Sequence, residues 1–185
     1  MSPPVSSAPQ QFPSSMRFFH WLVAAVVLTM LGIGVSMVAS LADYHLLLSI
    51  HRPLGILLLI LVIIRYINRR FSTLPPFPDT MSQAERSAAS ASELVLYTLL
   101  IAQPVVGWGM LSTARYPIVL FGSFHLFPIL PHSLALYAFL RKTHTVLALL
   151  LFLTILAHFA AVLFHTLVIR DGLLSRMLPG KPRTD

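Results

Sequence analysis

From Thr143 to Ile169 the chain runs without a single Lys, Arg, Asp or Glu, yet the stretch holds His144, His158 and His165. About 20 apolar residues span the hydrocarbon of a bilayer, so this segment is expected to be a transmembrane helix. The first two histidines are two heptads apart and the third lies one heptad further on, so on a 3.6-residue helix all three share one side. His144 and His158 then stand about 21 Å apart along the axis, one near each face of a hydrocarbon layer about 30 Å thick. A polar side chain placed there faces the bundle interior and has a partner.

Two further windows free of charge, Phe18 to Ala42 and Leu94 to Ala114, are also long enough to span. A fourth, Leu46 to Ile67, carries His51 and Arg52 near its start and Arg65 near its end, where a long side chain is expected to snorkel to the interface. With 56% of residues hydrophobic, 10% charged and a mean hydropathy of +0.80, the composition is that of a membrane protein. Four spans leave little of the 185 residues for anything else. The fold class is therefore all-α, a transmembrane four-helix bundle over residues 16–179. The Ser-, Pro- and Gln-rich residues 1–15 are expected to form a disordered tail, and residues 180–185 a short C-terminal one.

The formal charge of +7 would suggest nucleic acid in a soluble protein. Here orientation explains it. A cytoplasmic N-terminus puts Arg17, Arg65, Arg69, Arg70, Arg86, Arg170, Arg176, Lys181 and Arg183 inside, against Arg52, Arg115, Arg141 and Lys142 outside. That excess places both termini in the cytoplasm and leaves no role for nucleic acid. The N-terminal stretch lacks a basic n-region, and the apolar run behind it is longer than a signal h-region, so no cleavage is expected. Cysteine is absent, which excludes disulfides, thiolate-held clusters and covalently attached c-type haem.

Helix direction pairs the histidines. The first helix runs outward with His20 near its inner start, and the second returns with His51 near its outer end. The fourth also returns, with His144 outer and His158 inner, so the level pairs are His20 with His158 and His51 with His144. Two neutral imidazoles on facing helices suit the two axial positions of a haem iron. Zinc would want three or four ligands of its own, and intramembrane proton relays usually include Asp or Glu, which these windows lack. A lone histidine is most simply a hydrogen-bonded core residue; four in two level pairs favour metal ligation.

Other residues keep two readings. Arg17 inside, and Arg52 with Arg141 outside, are placed either to meet haem propionates or to anchor at lipid headgroups. Gly55, one turn after His51, either clears space for a flat cofactor or packs a crossing helix. His165 has no mate at its depth and is either interfacial or supports the inner haem, while His45, His125 and His132 fall in outer loops. Gly32, Gly34 and Ser36 form a small-residue patch suited to close helix packing. Trp21 reads as an interfacial anchor, and Trp108, near the bend expected at Pro104 and Gly107, as lining the enclosed space. Phe71 to Ser92 is expected as an inner connection. Ser112 to Lys142, with its aromatics and prolines, is expected as a long outer cap.

These residues carry a resemblance. His20-Trp21-Leu22, His51 with Gly55, Arg65, Pro104-Val105-Val106-Gly107, Pro117 with Phe121-Gly122, the His144 to His158 spacing and Arg176-Met177-Leu178-Pro179 together resemble the bacterial cytochrome b561 family, from about Arg17 to Pro179. The resemblance implies a multi-pass cytochrome of the bacterial inner membrane with two haem b groups on His20 with His158 and His51 with His144. It also implies single-electron transport between the outer compartment and the ubiquinone pool. Some members resemble superoxide:ubiquinone oxidoreductases, which would make superoxide the donor, steered by Arg52, Arg115, Arg141 and Lys142 against Asp43. The family is also similar to cytochrome b subunits that link quinone to a separate dehydrogenase or hydrogenase, so a redox partner protein is the alternative, and a haem-binding bundle without turnover a third possibility.

Overall fold

The structure, a computed structural model, describes residues 11–120 and 124–178. Among them are four helices long and apolar enough to cross a membrane: α1 (Ser14–Ala39), α2 (Tyr44–Phe71), α3 (Gln83–Thr113) and α4 (Leu134–Phe164), the last continued by a π-helical turn, His165–Ile169. A short antiparallel hairpin, β1 (Ile118–Leu120) and β2 (Phe124–Leu126), lies between α3 and α4, with Val119 opposite His125. The expected all-α bundle is the architecture, with this hairpin added to it.

Two helices are longer than their charge-free windows. α3 starts at Gln83, inside the expected inner connection, because Ser82 and Glu85 form a reciprocal capping box: the Ser82 hydroxyl accepts from the Glu85 N–H, and the Glu85 carboxylate accepts from the Ser82 N–H at 2.7 Å. α4 starts at Leu134, capped by the Ser133 hydroxyl, so the outer connection is shorter than the expected Ser112 to Lys142. A charge does not end a helix that projects beyond the hydrocarbon.

α1 packs on α2, α2 on α3 and α3 on α4, whereas the backbones of α1 and α2 make few close approaches to α4. The core joins Val23 and Val27 of α1, Leu58, Leu61 and Val62 of α2, Tyr97, Leu99 and Leu100 of α3, and Leu151 of α4. Leu151 is the one buried residue of α4. Elsewhere large apolar side chains such as Phe18, Val35, Phe139 and Leu149 face outward. Such an apolar exterior would aggregate in water and is stable facing lipid.

The first and last of the described residues meet at one end of the bundle. The Phe12 N–H donates to the Arg176 carbonyl at 3.1 Å, and the Trp21 indole N–H donates to the Met177 carbonyl at 2.9 Å. Residues 1–10 of the expected N-terminal tail lie outside the described residues, while Gln11 and Phe12 are tied to this segment and α1 begins at Ser14. Residues 180–185, Pro179, and Phe121 with Gly122 also lie outside the described residues. The expected small-residue packing of α1 is absent: a Cβ at Gly32 or Gly34 would meet nothing within 4 Å.

Candidate functional site

The structure brings His51 and His144 together, their ring centroids 6.3 Å apart and their planes at 73°. Gly107 of α3 makes room for this arrangement, since a Cβ there would stand 3.2 Å from His144 Cε1. The His144 Nδ1 is buried without a hydrogen-bond partner. At the other end His20 lies within electrostatic reach of His158 and Arg65, and Arg65 in turn of both histidines. The two pairs are called hairpin-side (His51, His144) and terminus-side (His20, His158) below.

Leu151 separates the levels. It lies seven residues from His144 and seven from His158, hence on the same side of α4 and about 10 Å along the axis from each. The apolar core is a plug between two polar layers. Each pair also spans helices that share few close backbone approaches: α1 and α4 for one, α2 and α4 for the other.

Several features fit a flat metal-bearing group. The Nδ1 atoms of His20, His51 and His144 are buried without a hydrogen-bond partner, an arrangement that costs about 1–3 kcal/mol per group unless something compensates. A metal bonded to two imidazole nitrogens at about 2.0 Å each leaves the ring centroids roughly 6 Å apart, as His51 and His144 stand. Among the described residues no three or more His, Cys, Asp or Glu gather as a metal site, so the zinc alternative finds no ligand set. A Cβ at Gly55 would meet only Met30 Cε, at an ordinary 3.5 Å, so no tight helix crossing requires that glycine.

The expected arginines are placed differently from one another. Arg17 Nη1 donates to the Leu178 carbonyl at 2.6 Å and to Gln11 Oε1 at 3.1 Å, fastening the C-terminal segment over the start of α1. Arg52 lies over the Tyr116 ring at 5.8 Å, and Arg141 is exposed on the first turns of α4. Arg115, with a left-handed φ of 57°, lines a cleft of about 280 Å³ beside the hairpin with Tyr116, His125 and Leu126.

Other residues take definite places. His165 is buried, and its Nδ1 is 2.7 Å from Asp171 Oδ2, whose partner oxygen accepts from the Leu173 N–H; it is neither interfacial nor near His20 and His158 in role, but locks the turn after α4. Trp108 is partly buried against Leu111, and its indole N–H donates to the Phe127 carbonyl at 3.0 Å, which pins the connection. Arg65 does not snorkel; its guanidinium lies over Tyr97 at 5.4 Å. Glu93, just outside the charge-free window, sits well inside α3 and pairs bidentately with Arg69. The missed signal was spacing: Arg65 follows His51, and Gly107 follows Glu93, by the same fourteen residues that separate His144 from His158.

The family described as prokaryotic cytochrome b561 matches residues 11–180. Cytochrome b561 homolog 2 of Escherichia coli (strain K12) is 33% identical over 184 residues, covering 97% of each chain. The probable superoxide oxidase CybB of Yersinia pestis is 30% identical over 168 residues, covering 88% of this chain and 92% of that one. Cytochrome b561 homolog 1 of Escherichia coli (strain K12) is 23% identical over 172 residues, covering 91% and 97%. With four spanning helices, two level histidine pairs and these relatives, the chain belongs to the prokaryotic cytochrome b561 family of membrane electron-transfer proteins, whose members carry b-type haem.

Proposed function

We propose that residues 16–179 form one dihaem domain, with one haem b held by His20 and His158 and the other by His51 and His144. The observation that carries this is the pair of levels on α4, His144 beside His51 and His158 near His20, with Leu151 packed in the core between them. Bound haem supplies the one-electron chemistry. The chain supplies two neutral imidazoles per group, an apolar plug that keeps water from the interior, and a charge distribution around each pair.

The end carrying both termini faces the cytoplasm of a bacterium, because the basic excess lies there, and the hairpin end faces the outer compartment. Superoxide is the favoured donor and ubiquinone the acceptor: two superoxide anions each give up one electron, and one ubiquinone takes both with two protons. The hairpin end carries Arg52, Arg115, Arg141 and Lys142 against Asp43, and such a field raises the arrival rate of a small anion. The relative from Yersinia pestis, described as a probable superoxide oxidase, supports the same reading.

The test is to supply superoxide to the purified protein with a short-chain ubiquinone and follow ubiquinol. Ubiquinol formation that needs the protein supports the reading. A protein that carries haem but stays oxidised, and that copurifies with a dehydrogenase or hydrogenase subunit, would make it a membrane anchor for that partner instead.

A further inference from the structure

Each helix carries two residues fourteen positions apart at matching depths: His20 and Gly34 on α1, His51 and Arg65 on α2, Glu93 and Gly107 on α3, His144 and His158 on α4. Because neighbouring helices run in opposite directions, one level gathers His20, Arg65, Glu93 and His158, and the other Gly34, His51, Gly107 and His144. The levels share two histidines each. They differ in that one adds an ion-bearing pair where the other adds two glycines.

At the terminus-side level the charges do not cancel. Glu93 is committed to Arg69, so two cations face one carboxylate. Arg65 is held instead by the ring of Tyr97, a residue only 8% exposed whose hydroxyl has no hydrogen-bond partner and which Tyr66 walls in at 5.6 Å. This cation acts on both His20 and His158. At the hairpin-side level the cation nearest in sequence, Arg52, is turned onto the ring of Tyr116. An uncancelled charge inside a membrane bundle is costly, which argues for a task.

We infer that Arg65 is a positioning charge that raises the electron affinity of the terminus-side centre above that of the hairpin-side centre, so that electrons entering at the hairpin end are drawn toward the end carrying the termini. The inference rests on the dihaem reading above. A fixed positive charge favours the reduced state of a nearby centre, which is the more negative one, and does so more strongly in a low-dielectric interior than in water. The two glycines opposite leave the hairpin-side centre without that bias.

The experiment is an equilibrium redox titration of the purified haem-loaded protein, followed optically, for the wild type, Arg65→Gln and Arg65→Lys. Arg65→Gln is expected to keep both haems and the low-spin spectrum while making one of the two steps about tenfold harder to reduce, or about 59 mV for one electron. Arg65→Lys, which keeps the charge, is expected to stay near the wild type. The step that moves should be the one remaining in His144→Ala, where only the terminus-side centre is left. The inference is overturned if neither step moves, if both move equally, if Arg65→Lys behaves as Arg65→Gln, or if both variants lose a haem, which would make Arg65 a holder of the group. A wild type with a single haem would instead sink the dihaem reading itself.

Discussion

A Cβ added to Gly107 of α3 would lie 3.2 Å from Cε1 of His144 on α4, closer than side chains ordinarily approach. The imidazole is therefore seated against bare backbone, and α3 serves the hairpin-side pair without contributing a ligand. Gly107→Ala should push the ring off its rotamer at a cost of about 1 kcal/mol. The expected result is a roughly fivefold weaker hold on one haem and an altered low-spin spectrum for that centre alone. Haem titration into the apoprotein measures it, and unchanged affinity would mean that the ring yields freely.

The pairs should lose their haems independently, because Leu151 and the apolar core lie between them. His158→Ala is expected to halve the haem content and spare the hairpin-side centre, and His144→Ala to do the reverse. Quantifying haem per protein distinguishes this from a joint loss, which would show one shared site. In the wild type carbon monoxide should leave the reduced spectrum unchanged, because two histidines for each haem would leave the iron no open position.

Arg115 and Lys142 are exposed at the hairpin end. If they steer superoxide, Arg115→Gln with Lys142→Gln should slow haem reduction by superoxide several-fold at low ionic strength and flatten its dependence on salt, with haem content unaltered. Stopped-flow mixing at several salt concentrations gives both quantities. An unchanged rate at low salt would assign these residues to the lipid headgroups.

The turn after α4 depends on Asp171, whose side chain is 1% exposed beside His165 at 9%. Asp171→Ala leaves the His165 ring without its partner and the Leu173 N–H without its acceptor. A loss of about 1–3 kcal/mol is expected. Thermal unfolding of the haem-loaded protein in detergent should show it, while the redox steps stay in place because neither group belongs to the histidine pairs.

What the sequence determined by itself was depth. A bilayer makes position along its normal a one-dimensional property of the chain, so the apolar windows place the four helices, and helix direction then sets His20 level with His158 and His51 level with His144 without knowledge of packing. Azimuth and long-range partners are different. Whether Arg65 turns to the interface or onto Tyr97, whether Arg17 holds a cofactor or the Leu178 carbonyl, and whether His165 faces lipid headgroups or Asp171 depend on which neighbours the folded chain brings within a few ångströms. Helix ends fell between the two. The Ser82-Glu85 capping box was legible in the sequence, but the charge-free windows hid it, because they report where hydrocarbon ends rather than where backbone hydrogen bonding does. Only the tertiary structure decided that α4 packs chiefly on α3, because that choice is made by side chains on neighbouring helices and not by depth in the bilayer.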